Sequence, residues 1–279
     1  MDGLERRRGR CVSAGSAAAN RPQVTAHGHG PTPTLGTVWE SAFWGLLGGS
    51  TLVIGALLGL RFTWSPKVVG LIMAFGAGVL ISSVAFELVD DAARDGTFGA
   101  TASGLAAGSL TFFVGDVLIT RAGGKDRKRT TQPTVAAASG SALALGALLD
   151  GIPESAAIGV TILQGGAPSS ALIVAVALSN LPEGLSSATG MKAAGRSTRS
   201  IVLLWVAIAV ASAVAAGLGY LVLDDASEDA IAFVMTFAAG AILAMLASTM
   251  LPEAAREGGP VVGLLTSAGF LLAVVLDRV

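Results

Sequence analysis

The sequence predicts an all-α, polytopic membrane protein. Three observations predict it: composition, a series of apolar runs of membrane-spanning length, and one helix that recurs late in the chain. Of 279 residues, 52% are hydrophobic and 13% charged, about half the charge of an ordinary soluble domain, and the mean hydropathy is +0.70. With 37 Gly and only 5% aromatics, the helices are expected to approach one another through small residues, because lipid offers no hydrophobic drive for association. A net charge of -1 argues against a nucleic-acid partner, which needs a concentrated excess of Lys and Arg. Cys11 is the only cysteine, which excludes an intrachain disulfide and argues against a thiolate metal site.

Residues 1–38 read as a disordered tail of Arg, Gly, Pro, Ser and Thr with no apolar period. The tail lacks the apolar stretch of a signal peptide. His27 and His29 are either collectors of a metal ion for delivery or plain linker histidines, since a His pair is not a full ligand set. Residues 39–279 read as one eight-helix transmembrane domain. Because about 20 apolar residues cross a bilayer, spans are expected near 40–60, 67–89, 98–120, 135–163, 168–190, 200–223, 230–251 and 260–278. The breaks "RFTWSPK", "DDAARDG", "RAGGKDRKRTTQPT", "QGGAPSS", "KAAGRSTRS", "LDDASED" and "PEAAREGGP" combine charge, Gly and Pro as connections do.

Orientation follows from the Lys and Arg of the loops. Eleven fall in the loops after spans one, three, five and seven, against Arg94 alone in the loops of the other face and Arg278 at the C-terminus. The basic set is expected in the cytoplasm, in a cell-membrane protein with both termini outside. Arg6, Arg7, Arg8, Arg10 and Arg21 oppose this assignment, but most lie too far from the first span to weigh in a rule that acts near the membrane.

The second and seventh spans match without a gap. Met73, Phe75, Ala77, Gly78, Ala85, Ala92, Ala93, Arg94 and Gly96 recur as Met235, Phe237, Ala239, Gly240, Ala247, Ala254, Ala255, Arg256 and Gly258, a displacement of 162. Weaker echoes link Ile54 to Val214 and Gly108 to Gly269, so spans one to three correspond to six to eight. A shift of five spans reverses direction through the membrane. The expected architecture is therefore an inverted repeat in a 3+2+3 arrangement, which many secondary transporters use to open a midplane site to one side and then the other.

The two central spans carry their own paired motif, "DGIPES" at Asp150 and "SNLPEG" at Ser179. Asp150 and Glu154 share a helix face, and Pro153 and Pro182 each free a carbonyl, of Leu149 and Leu178, from its usual partner. Acidic residues at a helix centre cost ~3 kcal/mol each, so Asp150, Glu154 and Glu183 together cost on the order of 9 kcal/mol unless something offsets them. No Lys, Arg or His lies within either motif. A bound divalent cation, protons or a hydrated cavity would supply the offset, and a cation held by carboxylates, an amide oxygen, carbonyls and water satisfies every group at once. The bland alternative is a pair of protonated carboxyls bonded across a helix interface.

At these residues the chain resembles the ZIP (Zrt/Irt-like) family of divalent metal-ion transporters, whose fourth and fifth helices carry motifs of the form HNxPEG and xPEG. The resemblance covers residues 40–279. It implies a bilobed transporter, often a homodimer, that moves zinc, manganese or iron through a mononuclear or binuclear site between helices four and five. It implies no prosthetic group; the metal is cargo. By the same resemblance Glu154 and Glu183 match the two metal-binding glutamates and Asn180 a ligand on helix five. Asp150 stands where the family usually has histidine, Gly151 where it has asparagine, and Ser179 at a position that is His or Gln in many members. An all-oxygen set suits manganese or iron(II) somewhat better than a His-containing one, while zinc still accepts carboxylates. Glu87, Asp90 and Asp91 are candidates for an entry vestibule or solvated surface acids; Glu253 is a candidate for an exit, and Asp116 either serves the exit or simply pairs with Arg121.

Two rival readings differ in class. An intramembrane aspartyl protease would use Asp116 and Asp150 sharing a proton, but its second-aspartate signature GxGD appears only as "FVGD" and the two Pro–Glu motifs would go unexplained. A cation channel or exporter on the same scaffold is the other; the repeat favours a carrier over a channel. The expectation is a transporter and not an enzyme.

Overall fold

A computed structural model describes residues 35–121, 140–165 and 170–277, and every element among them is helical. The tail with Cys11, His27 and His29, and the basic stretch from 122 to 139, lie outside the described residues. The helices are α1 (Leu35–Arg61), α2 (Pro66–Asp95), α3 (Phe98–Ile119), α4 (Gly140–Gly165), α5 (Ser170–Ala193) and α6 (Thr198–Leu223). A helical run then covers Glu228–Leu276; within it α7 denotes residues 228–258, and α8 is Val262–Leu276. Among the described residues six helices are long and apolar enough to cross a membrane: α1, α2, α3, α5, α6 and the Glu228–Leu276 run. In α4 the apolar segment is shorter, Gly151–Leu163. Their outer surface is apolar, with Phe98, Val222 and Leu264 more than 70% exposed, as befits a helical protein embedded in lipid.

Helix starts follow local chemistry. Thr97, Ser197 and Ser227 are extended N-caps whose hydroxyls accept from Ala100, Ser200 and Ala230 N–H. Pro66 opens α2, where its missing N–H costs nothing. After α5 the chain turns at Gly195, φ +82°, with Arg196 N–H bonded to Met191 O and Gly195 N–H to Lys192 O, a glycine stop for the helix.

Two predicted loops are helical instead. "DDAARDG" continues α2 to Asp95, where Arg94 bridges back to Asp90 and Asp91 on its own helix. "PEAAREGGP" continues α7 to Gly258 because Pro252 opens a fresh α-helical turn directly after a π turn, a position where no donor is required. The reversal falls at Gly259, φ +70°. Likewise α1 begins at Leu35, inside the predicted tail.

Glycines set how the helices cross. On α3, a methyl group at Gly108 would lie 1.9 Å from Phe237 O of α7; on α8, one at Gly269 would lie 2.0 Å from Phe75 O of α2. Gly240 of α7 meets Leu105 and Ser109, and Gly78 of α2 meets Thr266 and Phe270, with the same closeness. The π turns in α2 and α7 begin at Val84 and Leu246. A second group crosses around α1: Gly55 and Gly184 seal α1 to α5, Gly45 and Gly49 seal it to α6, and Gly159 seals α4 to α6. These contact pairs make α1 parallel to α5 and antiparallel to α6, and α4 parallel to α6. It follows that α4 and α5 run antiparallel.

Such crossings leave no room for a side chain. Gly108→Val is expected to destabilise the protein by about 1–3 kcal/mol through overpacking, read as a lower thermal midpoint in detergent. Gly263→Ala, where nothing lies within 4 Å, should leave the midpoint unchanged or slightly raised.

Candidate cation site between α4 and α5

The two central motifs meet inside the bundle. Pro153 lies within α4 and Pro182 within α5, so neither helix is interrupted although each loses one backbone donor. The carbonyl of Leu178, freed by Pro182, lies against Gly76 of α2, where a methyl would come within 2.7 Å of it. The helix backbone of α2 therefore occupies one side of that oxygen, a close C–H approach in place of the missing N–H.

Glu154 is buried, with 2% of its surface exposed. Ser179 of α5 donates its hydroxyl to Glu154 Oε1 at 3.1 Å and shares that hydrogen with Val176 O at 3.0 Å. This bond joins the first motif to the second. Asn180 is buried beside it, its Nδ2 donating to Gly48 O of α1 at 3.2 Å, which turns the amide oxygen to the side away from α1. Glu183, one turn further along α5, is buried at 9% exposure. Ser155 spends its hydroxyl on Gly151 O, 2.7 Å away on its own helix.

Asp150 belongs to α4, but its side chain lies outside the described residues. Its backbone position is still informative. One turn back from Glu154 along α4 and one turn forward from Ser179 along antiparallel α5 go the same way, so Asp150 and Glu183 stand at one level, about 6 Å from the Glu154–Ser179 contact by helical rise. Among the described residues no three His, Cys, Asp or Glu side chains gather as a metal-binding group. What the fold brings together is Glu154 with Ser179, flanked by Asn180 and Glu183.

Other acids divide by environment. Glu87 is buried within the π turn of α2, whereas Asp90 and Asp91 remain more than 40% exposed beside Arg94. Glu253 is buried on α7 and accepts from Arg256. Sequence reasoning gave no weight to Ser83, which is buried one turn before Glu87 and whose hydroxyl has no hydrogen-bond partner among the described residues; a lone serine in an Ala- and Gly-rich helix carries no pattern. Glu253 did carry one, a third Pro–Glu pair.

In comparisons with known proteins, no family model matches the chain and no curated protein is significantly similar to it.

Proposed function

We propose that the chain is a carrier of divalent transition-metal cations of the ZIP type, with Asp150, Glu154, Ser179, Asn180 and Glu183 surrounding the cargo near the middle of the membrane. The observation that carries this reading is the buried hydroxyl–carboxylate bond between Ser179 and Glu154, which ties the two Pro–Glu motifs into one oxygen-rich locus. Acids buried this deep in a lipid-embedded bundle are expensive and are kept for ion pathways. Oxygen donors from carboxylate, hydroxyl and amide suit a hard or borderline divalent cation.

The architecture supports a carrier over a static pore. The α3–α7 and α2–α8 crossings use residues related by a displacement of 161 to 162, Gly108 and Phe237 answering to Gly269 and Phe75, and the π turns at Val84 and Leu246 are 162 apart. With α4 counted as a span and the 228–276 run counted as two, eight spans in a 3+2+3 arrangement result, with an inverted repeat able to exchange conformations between its halves. The Lys and Arg distribution supports a topology with both termini outside the cytoplasm.

The test is accumulation of zinc, manganese, iron(II), cobalt and cadmium in vesicles containing the full chain. Saturable uptake of at least one of them is expected. Uptake equal to that of empty vesicles for all five would overturn the reading, and uptake that rises without saturation would replace the carrier by a channel.

A further inference from the structure

Four cations collect at one end of α1, α5 and α6. Arg61 ends α1, Lys192 stands in the last turn of α5, Arg196 follows the reversal at Gly195, and Arg199 lies in the first turn of α6. A glycine contact fixes their common level. A methyl at Gly59 would lie 2.5 Å from Leu185 O, and Thr189 donates its hydroxyl to Gly59 O at 3.3 Å, so the parallel helices α1 and α5 finish side by side just beyond that contact. Arg196 N–H bonds to Met191 O, and Lys192 Nζ donates to Thr198 Oγ1 at 2.8 Å, which holds the start of α6 against the end of α5.

Their charge has no acid to answer it. Arg94 and Arg256 each reach a carboxylate on their own helix, whereas among the described residues none of these four has a carboxylate partner. The sequence explains why: no Asp or Glu occurs between Glu40 and Glu87 or between Glu183 and Asp224, so none of the three helices carries an acid near this end. Arg61 lays its guanidinium over the Phe62 ring instead, 5.1 Å from the centroid. Arg61, Lys192 and Arg199 are exposed and Arg196 is half-buried. Like charges gathered at one level repel, and an anion among them relieves the repulsion.

The surroundings select the anion. All three helices are long and apolar enough to cross a membrane, so the patch lies at the level of the lipid headgroups. Trp64, whose indole N–H donates to Leu58 O at 3.3 Å and is thereby held against the end of α1, is a side chain of the kind enriched at that level. On the membrane side of the patch, Leu57 one turn before Arg61 and Leu203 one turn after Arg199 are exposed. An apolar surface thus adjoins the basic one, as an acyl chain adjoins its phosphate; a soluble anion would use the basic part alone. We propose that the end of α1 and the α5–α6 turn bind the headgroup of an anionic phospholipid, with Arg61, Lys192, Arg196 and Arg199 supplying the counter-charge. The site is separate from the α4–α5 locus and does not depend on what the chain carries.

The full chain in detergent is titrated with phosphatidylglycerol or with phosphatidylcholine of the same acyl chains, and bound lipid is counted by native mass spectrometry. A cation near an anionic surface is worth about fivefold in affinity. Phosphatidylglycerol is therefore expected to bind about a hundredfold more tightly than phosphatidylcholine, and the combined variant Arg61→Gln, Lys192→Gln, Arg196→Gln and Arg199→Gln to erase that preference. Arg61→Gln with Arg199→Gln alone leaves the Lys192–Thr198 bond in place and should still cost about twentyfold, so the test survives a combined variant that fails to fold. Lys125→Gln, Arg127→Gln, Lys128→Gln and Arg129→Gln together remove the same charge from the stretch between α3 and α4 and should leave the preference intact. Equal binding of the two lipids by the wild type, equal losses in the two fourfold variants, or no loss in the Arg61 and Arg199 pair would overturn the proposal. Displacement of bound phosphatidylglycerol by an equal concentration of glycerol 3-phosphate would overturn it too, by making the ligand a soluble phosphate.

Discussion

Glu154→Gln is expected to reduce divalent-metal uptake on the order of a hundredfold while leaving the protein folded. The amide has nearly the volume of the carboxylate, and its oxygen can still accept the Ser179 hydroxyl that now reaches Oε1 at 3.1 Å, so the α4–α5 contact survives. What disappears is the carboxylate that the proposed cation would bind. Removing one partner of a buried charged pair costs about 3 kcal/mol or more, which is about a hundredfold in an equilibrium constant. Glu183→Gln should behave alike. Ser155→Ala is the matched control, since that hydroxyl serves Gly151 O on its own helix and contributes nothing across the interface. Uptake and thermal midpoint are measured together, so that a loss through misfolding is visible as such.

Asp150→His is expected to move selectivity toward zinc by about tenfold relative to manganese, because an imidazole nitrogen favours zinc over the harder ion more than a carboxylate does. Asp150 is one turn from Glu154 on α4 and, by helix register, level with Glu183 on α5. The measurement is competition: zinc uptake against a rising concentration of manganese, wild type beside variant. An unchanged ratio would mean that residue 150 does not contact the cargo.

Much of this was legible in the sequence, and the reasons for the rest are specific. The helical membrane class followed from composition, and the spans expected from about 98, 200 and 230 begin close to the observed starts of α3, α6 and α7 at Phe98, Thr198 and Glu228. The ends of α2 and α7 were not. Charged, proline- and glycine-bearing stretches look like loops, yet Arg94 and Arg256 each answer an acid one turn back, and the π turns reset the hydrogen-bond pattern so that Pro252 fits. No propensity scale anticipates a π turn. Of the site, the meeting of the two Pro–Glu motifs was legible because their residues recur at matched positions on neighbouring helices. That Ser179 donates to Glu154, and that Asn180 turns its nitrogen to Gly48 of α1, depends on the rotation of α5 fixed by the glycine contacts at Gly55 and Gly184, which is a property of three helices at once.

The central claim is that Glu154 and Glu183 face a shared cation. Anomalous diffraction from crystals of the full chain grown with zinc tests it most directly. The expected result is a zinc peak between α4 and α5 with oxygens of Glu154 and Glu183 at about 2.0–2.2 Å. Zinc bound only elsewhere, with the two glutamates directed apart, would contradict it.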